Sequence, residues 1–149
     1  MDQVAVAAQQ HKDVFLRAID EDTAAFNRVL AASRMPRKTD EQKQARADAL
    51  ERANREAVEV PLQVLRHCTL ALPLIDATAR RGNPNSLSDA GVAGLALAAA
   101  AEGAYLNVRI NLPGLMDGGS VREEADRLVQ EARDGAEGIR QYVLDHLEG

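Results

Sequence analysis

The sequence predicts an all-α fold, an antiparallel bundle of about five helical segments, and three observations carry that expectation. Apolar residues recur at three- and four-residue steps over long stretches, capping signals and prolines divide those stretches, and no strand-like alternation interrupts them. With no Trp, two Phe and two Tyr, the core has to be aliphatic. Small side chains close a core only where helix backbones approach one another closely. The 149 residues, 46% hydrophobic and 28% charged, fit a single domain over 1–149.

The first helix is expected from Asp2 to about Ser33, with Val4, Ala8, His11, Phe15, Ala18, Asp22, Phe26 and Val29 on one face. Met35-Pro36-Arg37-Lys38 ends it, because Pro36 disfavours helical geometry in the residue before it. Thr39 and Gln42 then have the form of a capping box, with Asp40 and Glu41 suited to the positive helix start. This second helix passes Leu50, Ala53 and Ala57 to Pro61, which should kink it or begin a new segment, and Pro73 repeats the problem.

Arg80-Arg81-Gly82 reads as a helix end with a left-handed glycine cap, and Asn83 to Ser86 as a polar turn. Ser86 or Ser88 can cap the next helix, expected to reach about Asn111. Gly91, Gly94 and Gly103 weaken it in isolation, so it is expected at the centre, its bare backbone against other helices or a ligand. After a 112–119 loop, Ser120 and Glu123 suggest a second capping box. Val121, Ala125, Leu128, Ala132, Ile139 and Tyr142 follow helical spacing nearly to Gly149.

Several function classes are disfavoured. The net charge of -5 argues against nonspecific nucleic-acid binding, which needs clustered cations. The apolar stretch Val92 to Leu106 carries Glu102 and is shorter than a membrane span, so a buried helix and no membrane partner are expected. Cys68 has no second cysteine to pair with, and no basic-plus-apolar leader precedes Asp2, which leads to an expected cytoplasmic location. No phosphate-binding loop, dinucleotide fingerprint or Ser nucleophile motif occurs, so no cofactor is expected. His67 and Cys68 point to different helix faces, and His11 and His146 lack metal-ligand spacing, so no metal site is expected.

The residues that could carry chemistry are polar side chains in apolar settings. Asp22 lies between Ile19 and Phe26; desolvated there it could exchange protons near neutral pH, whereas a drifting stripe would leave it exposed. Arg46 precedes Leu50 and Ala53 on an apolar stripe, fit for an anionic ligand or a structural ion pair. Asn83, Ser88 and Asp89 surround a turn entering a helix and suit either ligand binding or capping. Asn107 and Asn111, four apart on one face, suggest ligand or buried-network hydrogen bonds.

Ordered motifs then narrow the field. Ile19 to Phe26, Met35-Pro36, Thr39 to Arg46, Ala57 to Leu62, Gly82-Asn83, Ser88-Asp89 with Val92-Ala93, and Gly103 to Leu112 together resemble the formimidoyltetrahydrofolate cyclodeaminase and methenyltetrahydrofolate cyclohydrolase family over nearly the whole chain. The resemblance implies an all-helical homodimer that binds a folate near the subunit interface. It also implies ring closure with ammonia loss, or water attack on the methenyl bridge, with no redox cofactor or metal; the tetrahydrofolate derivative is substrate.

On that resemblance Asp22 and Asp89 become the candidates for proton transfer. Lys38, Arg46 or Arg81 would suit the anionic folate tail, and Asn83, Asn107 and Asn111 the pterin or the bridge, with Ser88 also expected to bind substrate. The family's opening glycine-rich turn and small-residue helix have no counterpart before Asp2, so a shortened site is expected. The alternative from another class is a non-catalytic folate-binding or helical dimerisation module.

Overall fold

The computed structural model describes residues 1–147. Four α-helices follow one another: α1 (Asp2–Ser33), α2 (Asp40–Arg81), α3 (Leu87–Asn111) and α4 (Gly119–His146). Single 3₁₀ turns, Pro84–Ser86 and Leu112–Gly114, sit in the last two connections, and the described residues contain no strand. The all-α expectation holds. The expected reach of the last helix toward Gly149 runs outside the described residues.

Cross-helix contacts fix the directions. His11 meets His67 and Arg46 meets Ser33, so α1 and α2 are antiparallel. Asn54 meets Gly114 and Asn111 meets Ala57, so α3 runs against α2. Glu102 meets Arg133 and Tyr105 meets Asp126, so α4 runs against α3. Short connections between long helices leave little other choice.

One start signal is realised as expected: Thr39 Oγ1 accepts from the Gln42 backbone N–H at 3.3 Å while Gln42 Oε1 accepts from the Thr39 N–H at 3.4 Å. Others are not. The helix count is four rather than five, because both Pro61 and Pro73 lie inside a continuous α2. Ser86 stands at the α3 N-cap without a side-chain hydrogen bond, and Ser88 is in the first turn. At the start of α4 the N-cap is Gly118, so Ser120 and Glu123 form no capping box. Gly82 has φ -79°, which is not left-handed. Its N–H donates to the Thr78 carbonyl at 2.9 Å, and a Cβ there would lie 2.3 Å from that oxygen, so close approach is what requires glycine.

The central helix is α2, not α3, since α2 packs against all three others. Its Val58, Leu62, Leu65, Cys68 and Leu72 meet Leu97, Ala101, Ala104 and Val108 of α3 and Leu128, Val129, Ala132, Ile139 and Val143 of α4 in one aliphatic core. Cys68 is fully buried there, and burial pushes its thiol up to about 12. It is a small core residue rather than a nucleophile. Between α2 and α4, Glu124 accepts from Arg66 through both carboxylate oxygens at 2.7 and 2.9 Å, which holds the Glu124 carboxyl below its usual range.

The glycines of α3 serve two ends. Gly91 and Gly94 press against Val143 and Ile139, where an added Cβ would find side-chain carbons at 3.2 and 3.3 Å. Gly103 meets nothing and borders open space. Because α3 carries apolar residues on more than the face it buries, the opposite face exposes Val92, Leu95, Leu106 and Ile110, while Glu102 and Arg109 turn toward α4. By length and composition alone, α2 and the 84–114 stretch each hold a window apolar enough to cross a membrane; in α2 the apolar residues fill the core.

Candidate functional site

Both α1 and α3 lie along α2 but pack little on each other, which leaves a groove between them floored by α2. Two cavities of about 300 and 340 Å³ run along it and share Asp22 and Asn107 as walls. The first is apolar apart from that pair, lined by Phe15, Ile19, Val60, Pro61, Val64 and Gly103 among others. The second adds two polar groups, Asn54 and Asn111, to the shared Asp22 and Asn107, beside Phe26, Val29, Ala57 and Ile110. Neither cavity is lined by a Lys, Arg or His.

Asp22, Asn107 and Asn111 are thus brought together from two helices. Asp22 is exposed at the groove rather than sunk in the core, so of the two readings of its position the drifting stripe is the correct one. The sides of the groove are apolar and open: Ile19 is 65% exposed, Phe26 60% and Ile110 75%.

The orientation of Asn111 follows from a covalent fact about α2. Pro61 has no N–H, so the carbonyl four residues earlier, at Ala57, loses its helical donor. The Asn111 side chain fills that place, donating from Nδ2 to the Ala57 oxygen at 2.8 Å. Asn54 is fixed in the same sense, donating from Nδ2 to the Gly114 carbonyl at 3.0 Å. Sequence reasoning missed Asn54. It sits among charged residues, and only its contact with a loop sixty positions away reveals it.

The other expected site residues lie elsewhere. Asp89, near Ser86 and Thr78, lines a separate cavity between the start of α1, the end of α2 and the start of α3. Ser88 is exposed in the same turn of helix, and Asn83 accepts a hydrogen bond from the Asn85 N–H at 3.0 Å as a local turn. Arg81 is exposed at the end of α2. Lys38 is exposed in the first connection, its backbone N–H donating to Gln42. Arg46 donates from Nε and Nη2 to the Ser33 carbonyl at 3.2 and 3.1 Å, closing the end of α1 rather than meeting a carboxylate.

Cations do stand close to the groove in another place. Arg109 and Arg122 line a cleft of about 670 Å³ at the corner of α3 and α4, and Ile110 borders both that cleft and the groove. Arg109 already meets Asp126 at 3.6 Å, while Arg122 has no ion pair among the described residues. No cluster of three or more metal-ligating side chains occurs among the described residues.

Comparison with known proteins gives this groove a context. The family model described as formiminotransferase-cyclodeaminase matches residues 1–130. A methenyltetrahydrofolate cyclohydrolase of Methylorubrum extorquens is 40% identical over 110 residues, which cover 74% of this chain and 53% of that protein. The formimidoyltransferase-cyclodeaminase of Sus scrofa is 38% identical over 133 residues, 87% of this chain and 24% of the pig protein. The crystal structure of formiminotetrahydrofolate cyclodeaminase from Thermotoga maritima superposes with a TM-score of 0.74 at 26% identity, covering 100% of this chain and 70% of that one. The chain therefore spans about half the length of the bacterial cyclohydrolase and about a quarter of the pig enzyme. On the extent of the family match and the identity to these relatives, the chain belongs to the formiminotransferase-cyclodeaminase family.

Proposed function

We propose that this chain works on the one-carbon unit of a tetrahydrofolate, either cyclodeaminating the 5-formimidoyl form or hydrolysing the 5,10-methenyl form. The observation that carries the reading is the placement of Asp22 and Asn107 on opposite helices as shared walls of both groove cavities. A flat heterocycle fits between apolar helices, with a carboxylate on one side and an amide on the other.

In the closure reaction, N10 attacks the carbon of the protonated formimidoyl group, the carbon becomes tetrahedral, the N10 proton passes to the amino nitrogen, and the C–N bond to that nitrogen breaks as ammonia leaves the methenyl cation. In the hydrolysis, water adds to the methenyl carbon, loses a proton, and one ring C–N bond breaks to leave a formyl group. Both need a base near the attacking atom and polar atoms to orient the bridge. We assign the first task to Asp22 and the second to Asn107 and Asn111, on their shared place in the groove. Arg109 and Arg122, across Ile110, suit the carboxylates of the folate tail better than Lys38, Arg46 or Arg81, none of which lines the groove. Asp89 would act only on a ligand reaching its separate cavity.

The test is turnover of both substrates by the chain and by Asp22→Asn, an exposed position whose substitution should leave the helical signal unchanged. A loss of about a hundredfold or more is expected for removal of a proton-transfer group. Equal turnover by the variant removes Asp22 from the chemistry. Folate binding with no turnover of either substrate would favour a binding module instead.

A homodimer belongs to the same proposal. The uncharged α3 face of Val92, Leu95, Leu106 and Ile110 is a continuous apolar strip of the kind a self-complementary contact covers. Whether the reaction is a lyase or a hydrolase step follows from the same turnover assay, and a cytoplasmic setting is consistent with the single reduced Cys68.

A further inference from the structure

We infer that Asn54 is a positioning residue for the tail of the ligand. By holding Gly114 it sets the 112–118 connection, and Arg122 beyond it, at the spacing from the groove that lets one molecule lie in the groove and end in the cationic cleft. The inference rests on the folate reading above and on the assignment of Arg122 to the tail carboxylates. Asn54 stands in the groove wall on α2, and its Nδ2 donates to the Gly114 carbonyl at 3.0 Å. Gly114 closes the 3₁₀ turn Leu112–Gly114, whose Leu112 and Pro113 line the cleft. Among the described residues no other hydrogen bond joins this connection to α2.

The contact fixes the turn in both directions. The hydrogen bond keeps the turn from moving out, and a Cβ on Gly114 would lie 2.8 Å from Asn54 Cγ and 2.9 Å from Nδ2, so the turn has no room to move in. From Gly114 the constraint runs on to Arg122. The Leu115 N–H donates to the Leu112 carbonyl at 2.9 Å, and a Cβ on Gly118 would meet Leu112 Cδ2 at 3.2 Å, so the turn and the start of α4 pack as one piece. The Arg122 N–H in turn donates to the Gly118 carbonyl at 3.0 Å. Arg109 is held differently, by Tyr105 of its own helix and Asp126 of α4, so Asn54 bears on Arg122 and not on Arg109. A ligand that reaches two subsites gains from the second only when their spacing allows both to be engaged at once.

The experiment measures dissociation constants by calorimetry for 5-formyltetrahydrofolate, which carries both tail carboxylates, and for the same molecule cut back to its aminobenzamide, which carries neither. Their ratio is the tail advantage, expected at about tenfold or more for charge-assisted contacts to guanidinium groups. Asn54→Ala should bring it below about threefold, and Gly114→Ala should do the same by pushing the Asn54 side chain off the turn. Any contact the Asn54 amide itself makes with the head of the ligand is common to both molecules and cancels in the ratio. Arg122→Gln should lower the ratio as well, and Asn54→Ala added to Arg122→Gln should lower it no further. Circular dichroism checks that the helices of each variant are intact.

A tail advantage that survives in either Asn54→Ala or Gly114→Ala overturns the inference. So does a further loss when Asn54→Ala is added to Arg122→Gln, because Asn54 would then act on the tail by a route other than Arg122. Equal binding of the two molecules by the unsubstituted chain takes the tail out of the cleft and overturns it too. In each of these cases both molecules still bind and the folate reading stands. Binding of neither molecule by the unsubstituted chain overturns the folate reading and the inference with it.

Discussion

Asn111 on α3 supplies the hydrogen bond that Pro61 on α2 cannot, and through it one covalent defect in the central helix becomes an attachment point for the helix beside it. The two residues should therefore be energetically coupled. Asn111→Ala leaves the Ala57 carbonyl without a donor, a loss of about 1–3 kcal/mol for a partly buried group. With Pro61→Ala in the background, a backbone N–H is restored and the same substitution should cost less than half as much. Chemical denaturation of the four proteins of the cycle measures the coupling. A zero coupling energy would mean that Pro61 and Asn111 stabilise the fold independently.

A second cross-helix contact responds to pH. His11 and His67 meet with Nδ1 to Nδ1 at 3.0 Å, an arrangement in which one nitrogen must donate and the other accept. Burial, and then the neighbouring His67, hold the His11 imidazole below its ordinary value. The unfolded chain consequently binds more protons than the folded one between the two values. Stability from this group is complete above the ordinary imidazole value of about 6.5 and is lost as pH falls through the lowered folded value. Thermal unfolding followed by circular dichroism should thus give a midpoint that drops on acidification from about pH 7 to 5. His11→Gln should flatten that slope, and an unchanged slope would show that other groups set it.

The α3 face offers a prediction about assembly. Leu106, 62% exposed on an uncharged strip, would be covered in a dimer formed through that face. Leu106→Glu should then convert a dimer to a monomer in analytical ultracentrifugation with the helical content unchanged, since a buried unpaired charge is costly. A variant that remains dimeric places the contact elsewhere.

How far the sequence foretold all this depends on whether the signal was local. The Thr39 and Gln42 capping box and the stop at Pro36 act within a few residues, and both were legible. Pro61, expected to kink the helix or begin a new segment, begins no new segment for the same reason in reverse, because the Asn111 donor to the Ala57 carbonyl arrives from fifty positions away. Likewise His11 and His67 carry no spacing signal, and Asn54 looked like one polar residue in a charged stretch. Asn107 and Asn111 were legible because two poor helix formers share one face. Ser120 and Glu123 show the limit of motif reading: the pattern is present, but α4 starts two residues early and the pair goes unused.

Two glycines in α4 give opposite expectations for the same substitution. At Gly135 an added Cβ would lie 2.7 Å from Leu72 Cδ1, and Leu72 is held in the core between α2 and α4. The methyl must displace that side chain, so overpacking of about 1–3 kcal/mol outweighs a helix-propensity gain of at most about 1 kcal/mol, and Gly135→Ala should lower the unfolding midpoint. Gly138, three residues on in the same helix, meets nothing within 4 Å. Gly138→Ala therefore keeps the propensity gain without a clash and should stabilise by about 0.5–1 kcal/mol. Denaturant unfolding of both variants reads the difference directly. Stabilisation by both would mean that Leu72 has room to move, and that α2 and α4 pack less tightly at this level than the Leu72 contact implies.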